Sequence, residues 1–307
     1  MKIMGQVRKH WLDIAKGVTI ILMVVGHTTV PHIVSDFIYC FHMPLFFIAS
    51  GITSSYMKHS PLGYINHKAH TVMLPFITYS IIVSFALYLI GKMVFSHLIL
   101  NGWEGYALWF IPVLYLSSIL TMLISFTKNV YLRCGFMISM FLLGSYLSCY
   151  QVSLPWTLST VPYATFLVLI GNELKHIQKW IEAENHYWDI ALLFMVTVMV
   201  SHFWHLDLAW NHITPVIPLT IGAMAGTLMI FRLSVWIERH IKWCALLLQK
   251  VGQETYIVVA FSQVTIMYMN HFFAISPILK YAFLVIALVS LKYAKDSINR
   301  LLKVKIL

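Results

Sequence analysis

Charged side chains are scarce in this sequence. They make up 10% of its 307 residues, whereas a soluble globular domain carries about 25%. Acidic residues are the scarcer sign, 11 against 21 basic ones. With 60% hydrophobic residues and a mean hydropathy of +0.79, a water-soluble globule is excluded, because that much apolar surface cannot all face one core. The solvent itself must be apolar. Cysteine is rare too: Cys40, Cys134, Cys149 and Cys244 are scattered, show no metal-ligand spacing, and read as small apolar side chains within helices. No linker, low-complexity stretch or fixed-period repeat breaks the chain, so residues 1–307 are expected to form a single domain. The first apolar stretch is expected to remain on the chain: Asp13 and Lys16 interrupt the region before it, and no small-x-small site follows in TTVPHIVSDF.

What is abundant is apolar sequence in membrane-sized lengths. A hydrocarbon core about 30 Å thick needs roughly 20 residues of helix. That measure predicts an all-α, polytopic membrane helix bundle of about ten transmembrane helices, near 14–30, 37–57, 72–91, 105–126, 134–150, 157–174, 187–204, 213–231, 252–272 and 275–294. Threaded with the N-terminus inside, this bundle places every basic residue except Lys92 and Lys280 on the inner side. They run from Lys2, Arg8 and Lys9, through Lys58, Lys128 and Arg232 in inner loops, to Lys303 and Lys305. The positive-inside rule produces such a bias, so both termini are expected in the cytoplasm. The net charge of +10 is spread over all these loops, which argues against a nucleic-acid surface. Trp11, Trp103, Trp156, Trp188, Trp204 and Trp210 fall near span ends, as an interfacial aromatic belt would.

Polar residues stand where lipid should be. The first helix carries Asp13, Lys16, Gly17, Gly26 and His27. Helical residues advance by about 100°, so eleven of them complete almost three turns and put Lys16 and His27 on one face, about 16 Å apart. Asp13 lies one turn below Lys16 near the same face, with apolar Ile20 and Met23 or Val24 between. Charges inside a span are costly and usually face a bundle interior or a water-filled cavity. Asp13 and Lys16 also have an ordinary explanation, as an i,i+3 pair at the headgroups. His27 has less of one, with the apolar run Val18–Val25 below it. The second helix contains Phe41-His42-Met43-Pro44. Reflection across the turn near Ile33–Val34 puts His42 within about one helical turn of His27 in depth. Pro44 removes a backbone donor and frees the carbonyl of Cys40, which inside a membrane calls for a cavity or polar neighbour. Two histidines and a broken helix at one depth predict a polar pocket.

These residues resemble the acyltransferase 3 family of integral membrane acyltransferases. The matching segments are WLDIAKGVTIILMVVGHT (11–28), FHMPLFFIASG (41–51), LWFIPVLYL (108–116), LPWTLSTVPYATFLVLIG (154–171) and VGQETYIVVAF (251–261). The first two are specific together, and the later three are weak alone. The chain looks most like the fucose 4-O-acetylase-like subgroup. The family pattern of a basic residue, ten residues and a His on the first helix corresponds to Lys16 and His27, and implies that His27 is catalytic. The resemblance also implies an acyl-CoA co-substrate, usually acetyl-CoA, with no bound cofactor. It implies as acceptor an envelope glycan or lipid-linked sugar, at a bacterial inner membrane. Two departures stand out. Where relatives carry an Arg-rich run before the third helix, this chain has Asn66-His67-Lys68-Ala69-His70-Thr71, and Ser262-Gln263 stands where relatives often have a His.

Acyl transfer to a hydroxyl needs a base near neutrality and donors or positive charge for the tetrahedral oxyanion. The expected catalytic set is therefore His27 as base, His42 as partner or oxyanion donor, and Asp13 and Lys16 positioning each other and the donor. Lys16 and Lys68 are the expected donor-binding cations, while Phe41, Pro44 and Trp109 are expected to line the substrate pocket. No metal is expected. The outer segments 92–104 and 205–212 are the ones large enough to shape an acceptor site, where Trp204 or Trp210 offers a stacking platform for a sugar ring. The alternative is a transporter or export subunit for a solute or lipid-linked sugar, since intramembrane charges and broken helices occur there also. The paired repeats common in transporters are not visible.

Overall fold

The computed structural model of the protein describes residues 9–28, 30–56, 60–103, 105–127, 129–183, 187–273 and 277–302. Among these residues it is all helix, with one isolated bridge between Asp207 and His212. Helices α1 (His10–Gly26) and α2 (His32–Thr53) form an antiparallel pair. Next come α3 (Pro61–Lys68), a π-helical turn (Ala69–Met73) and α4 (Leu74–Leu89) as one continuous rod, then the short α5 (Phe95–Asn101). A 3-10 turn (Ala107–Trp109) opens α6 (Phe110–Ser125), and α7 (Val130–Cys149) follows. A second 3-10 segment (Pro155–Thr160) opens α8 (Val161–Leu174). The remaining helices are α9 (Gln178–Glu182), α10 (Tyr187–Phe203), α11 (Val216–His240), α12 (Lys242–Gln253), α13 (Thr255–Phe272) and α14 (Pro277–Leu302).

Helix occupies every stretch in which the sequence predicts a span. Among the described residues, five helical stretches have both the length and the apolarity to cross a membrane: His32–Thr53, Pro61–Leu89, Ala107–Ser125, Val130–Cys149 and Val216–His240. Their surroundings differ. Over half of the apolar window of α2, α6 and α11 is buried, whereas α7 is almost wholly exposed, with Leu132, Phe136, Ile138 and Leu142 facing outward. So much exposed hydrocarbon marks a face that lies against lipid or another apolar surface.

The stretches expected as inner loops are more ordered than hydropathy suggested. Residues 61–68 are helical because Ser60 caps them, its hydroxyl accepting the Gly63 N–H at 3.1 Å, with Pro61 in the first turn. Arg232, expected in a loop, lies inside α11 and is 1% exposed. Its guanidinium donates to the Trp180 carbonyl and to Asp189, both at 2.7 Å, and stacks over the Trp180 ring. A hydropathy window ends a span at a charge, and here the charge is paired instead of solvated. Lys2, Arg8, Lys58, Lys128, Lys303 and Lys305 lie outside the described residues.

Two crossings seat the α1–α2 pair. A Cβ on Gly252 of α12 would stand 1.8 Å from the Asp13 carbonyl oxygen, and one on Gly17 would stand 2.1 Å from that of Leu248. Likewise, a Cβ on Gly51 of α2 would meet the Val168 carbonyl at 2.1 Å, and one on Gly171 of α8 the Ile48 carbonyl at 2.0 Å. Membrane helices gain no hydrophobic free energy by leaving lipid for one another, so close backbone approach through small residues is their main adhesive. Gly222 and Gly226 on α11 instead make room for side chains, Cys40 and Phe41 of α2.

A methyl at Gly252 has nowhere to go without parting α1 from α12. Gly252→Ala is therefore expected to cost about 1–3 kcal/mol and to lower the thermal unfolding midpoint in detergent. Gly135→Ala, whose added Cβ meets nothing within 4 Å, serves as the neutral control. Equal midpoints for the two variants would refute the close-packing account.

Candidate active site

His27 is the residue on which α1 ends. Its N–H still donates to the Met23 carbonyl at 3.1 Å, but the chain turns there towards α2, so the ring projects from the end of the helix. His42 comes from α2 and is 3% exposed. Its Nδ1 lies 3.0 Å from the Ile38 carbonyl oxygen. A carbonyl only accepts, so Nδ1 carries the proton and Nε2 is left as an acceptor. Tyr39 stands between the two imidazoles, its ring 6.0 Å from that of His27 and 4.9 Å from that of His42, with its hydroxyl 3.4 Å from His27 Nδ1. On its other side the same ring meets His205, whose Nδ1 pairs with Asp36 at 2.6 Å.

His27 and His42 line one cavity of about 110 Å³, with Ile20 and Met23 from α1 and Trp109 beside α6. It has room for a few water-sized groups, each needing ~30 Å³ in the liquid. Two segments at the His27 end of the bundle close over it. One is 206–210, folded by paired Asp207 and His212 backbone bonds of 3.0 and 2.7 Å and tied down by the Thr160 hydroxyl on the Leu208 carbonyl at 2.8 Å. Within it, Asp207 accepts the Ala209 N–H at 2.9 Å, and burial pushes its carboxyl pKa up. The other is 105–107, held from both sides by one amide. Gln263 accepts the Ala107 N–H at 2.9 Å and donates to the Gly105 carbonyl at 3.0 Å. Gln263 thus anchors the cover of the cavity.

The expected site residues separate into groups. His27, His42 and Trp109 meet at the cavity. Asp13 and Lys16 pair at 2.7 Å, Asp13 almost fully buried. Lys16 is eleven residues of unbroken helix before His27 and does not line the cavity. Lys68 lies on α3 with its ammonium 5.8 Å from the Tyr64 ring centre. That ring packs on Tyr56, which Lys175 also faces, so Lys68 belongs to the end of the bundle remote from His27. There Lys175 donates to the Ser54 carbonyl at 2.6 Å and to Asn172 at 2.8 Å, and burial lowers its pKa to about 8. Phe41 is buried against α11 and Pro44 is buried within α2; neither lines the cavity, while their neighbour Met43 does. Of the two tryptophans at the outer segment, Trp210 lines the cavity.

Sequence reasoning missed Tyr39, Asp207 and Gln263. Tyr39 sits three residues before His42 and on its face of α2, a signal that was available. Asp207 lies in an irregular segment and Gln263 acts by holding another, so neither carries a periodic signal in the sequence.

The sequence model of the acyltransferase 3 family, described as an acyltransferase domain, matches residues 9–295. No curated protein and no solved structure matches the chain.

If Gln263 holds the cover, Gln263→Leu removes two hydrogen bonds worth about 1 kcal/mol each. Hydrogen exchange at the Ala107 amide is expected to quicken by about tenfold or more, with the α2 amides around His42 unchanged. Unaltered exchange at Ala107 would show that the segment is held some other way.

Proposed function

The chain belongs to the acyltransferase 3 family and is a membrane acyltransferase, and from that premise we propose that it moves an acetyl group from acetyl-CoA to a hydroxyl of a cell-envelope glycan or lipid-linked sugar. In this reading it is a fucose 4-O-acetylase-like enzyme of the bacterial cytoplasmic membrane, with ten spans and both termini in the cytoplasm. The observation that carries the assignment of chemistry is the shared cavity of His27 and His42 beneath segments 105–107 and 206–210.

His27 is the general base. With Nδ1–H directed at the Tyr39 hydroxyl, its Nε2 takes the proton of the acceptor hydroxyl as the oxygen attacks the thioester carbonyl. A carbon–oxygen bond forms, the carbon–sulfur bond of the tetrahedral intermediate breaks, and the imidazolium returns its proton to the departing CoA thiolate. His42 is the partner: protonated at Nδ1, it presents an accepting Nε2, which suits it to hold a hydroxyl or the His27 ring in place. In that tautomer it has no second N–H for the oxyanion, and Trp109, which lines the same cavity, is proposed as the residue that supplies a donor. The Asp13–Lys16 pair and Lys68 receive the charged end of acyl-CoA. Lys16 stands about 16 Å from His27 along α1, a distance that an extended pantetheine arm bridges.

Removing a general base typically costs about 10²–10⁴ in rate. Membranes bearing the His27→Ala protein, expressed at the wild-type level, are therefore expected to transfer at least about 100-fold less label from acetyl-labelled acetyl-CoA to envelope glycan. The label should leave the glycan under mild base, as an ester does. Equal incorporation with and without His27 would remove it from the chemistry.

A further inference from the structure

The cavity shared by His27 and His42 holds one acidic group and no fixed cation. Among the described residues, imidazoles, aromatic rings and hydrocarbon side chains make up its lining, with Asp207 the only acid and with neither lysine nor arginine. Lysine is held away from it. Lys16, Lys68 and Lys175 stand at the end remote from His27. Lys280 lines a separate cavity that His27 also borders, and there its ammonium holds Asn270 Oδ1 at 2.6 Å. The bases beside Asp207 itself are His205, already paired with Asp36 at 2.6 Å, and the exposed His212.

The local chain fixes where this carboxylate stands. Asp207 Oδ1 accepts the Ala209 N–H at 2.9 Å, the bond of an Asx turn, and the backbone pairing of Asp207 with His212 closes the segment behind it. Burial raises the carboxyl pKa, while the Ala209 N–H, His205 and the Trp210 N–H favour the ionised form. An ionised carboxylate only accepts, at about four lone-pair sites on two oxygens, so it has places left for hydroxyl donors. Trp210, three residues on, lines the same cavity and is 60% exposed, which sets its ring at the mouth. The edge of a sugar ring offers hydroxyls to the first residue, and its C–H face suits the second.

Resting on the reading of this cavity as the place where a sugar hydroxyl is acylated, we infer that Asp207 selects the acceptor by its charge. The carboxylate accepts hydroxyls next to the one that reacts at His27, and it bars a sugar unit that carries a carboxylate or phosphate of its own. Hydrogen bonds to an ionised acceptor are about twice as strong as neutral ones, so a neutral sugar is held. An acidic sugar instead sets like charges together in a space of about 110 Å³, where little water screens them. Asp207 acts on specificity and takes no proton from the reacting hydroxyl.

The test uses the full-length protein in lipid nanodiscs and saturation-transfer NMR, with empty nanodiscs as blank. The probes are methyl glycosides in pairs, gluco and galacto, whose members differ only in a hydroxymethyl or a carboxylate at the sixth carbon. The neutral member is expected to give at least about tenfold more transfer than the acid. Asp207→Asn removes the charge but keeps a side-chain oxygen for the Ala209 N–H, so the turn stays; unchanged hydrogen exchange at that amide checks it. In this variant the acid should come within about twofold of the neutral sugar. Equal signals from both members in the wild type, an unchanged ratio in Asp207→Asn, or no signal above the blank from any probe would each overturn the inference. The readout needs no acyl transfer. Selective binding without transfer therefore fails only the catalytic reading, and unselective binding with transfer intact fails only this one.

Discussion

Backbone-to-backbone contact between helices holds this bundle, and the two histidines reach one cavity because of it. In lipid an apolar side chain gains little by turning inward, so dispersion between closely fitted surfaces must supply the adhesion. The α1–α12 and α2–α8 crossings achieve this with glycine on both partners. Both crossings lie towards the Asp13 and Ser54 end, where Lys175 ties α2 to the end of α8 and Trp11 bonds Glu182. Clamped there, α1 and α2 run side by side to the other end, and their last and middle turns meet around Tyr39. The depth match of His27 and His42 follows from two rods fixed near one end and joined by a short turn.

That depth match was legible in the sequence because it depends only on helical rise and turn position. So were the helical places, since hydrophobic length is the strongest signal a membrane sequence carries. Other features needed the folded chain. Arg232 looks like the end of a span until Trp180 and Asp189 are seen around it, and pairing across 43 residues or more leaves no local trace. Phe41 sits within two residues of the cavity-lining Tyr39 and Met43 yet turns towards Gly226; its side of α2 is settled by α11, which the local motif does not include. Asp207 and Gln263 act through the shape of irregular segments, to which a periodic pattern is blind.

The two ends of the bundle are built for different chemistry. The end remote from His27 gathers cations: Lys16 on Asp13, Lys68 over Tyr64, and Lys175 in a ring of oxygens. The His27 end gathers imidazoles, aromatic rings and a buried carboxylate, Asp207. In the function proposed above, a phosphate-rich donor is held at the first end and its acyl carbon reacts at the second. No single residue needs to serve both. The long separation of Lys16 from His27 along α1 is then the length of the donor's arm and not a flaw in the catalytic set.

The brevity of α1 has a further consequence. Its 17 residues span about 26 Å, whereas the hydrocarbon layer is about 30 Å thick, and α11, with 25 residues, spans about 37 Å. Neighbours of such unequal length share one bilayer when the longer tilts or carries its charged last turn into water, or when the lipid thins beside the shorter. His27 closes a helix shorter than the hydrocarbon layer, and the segments 105–107 and 206–210 that cover its cavity occupy the depth that α1 leaves.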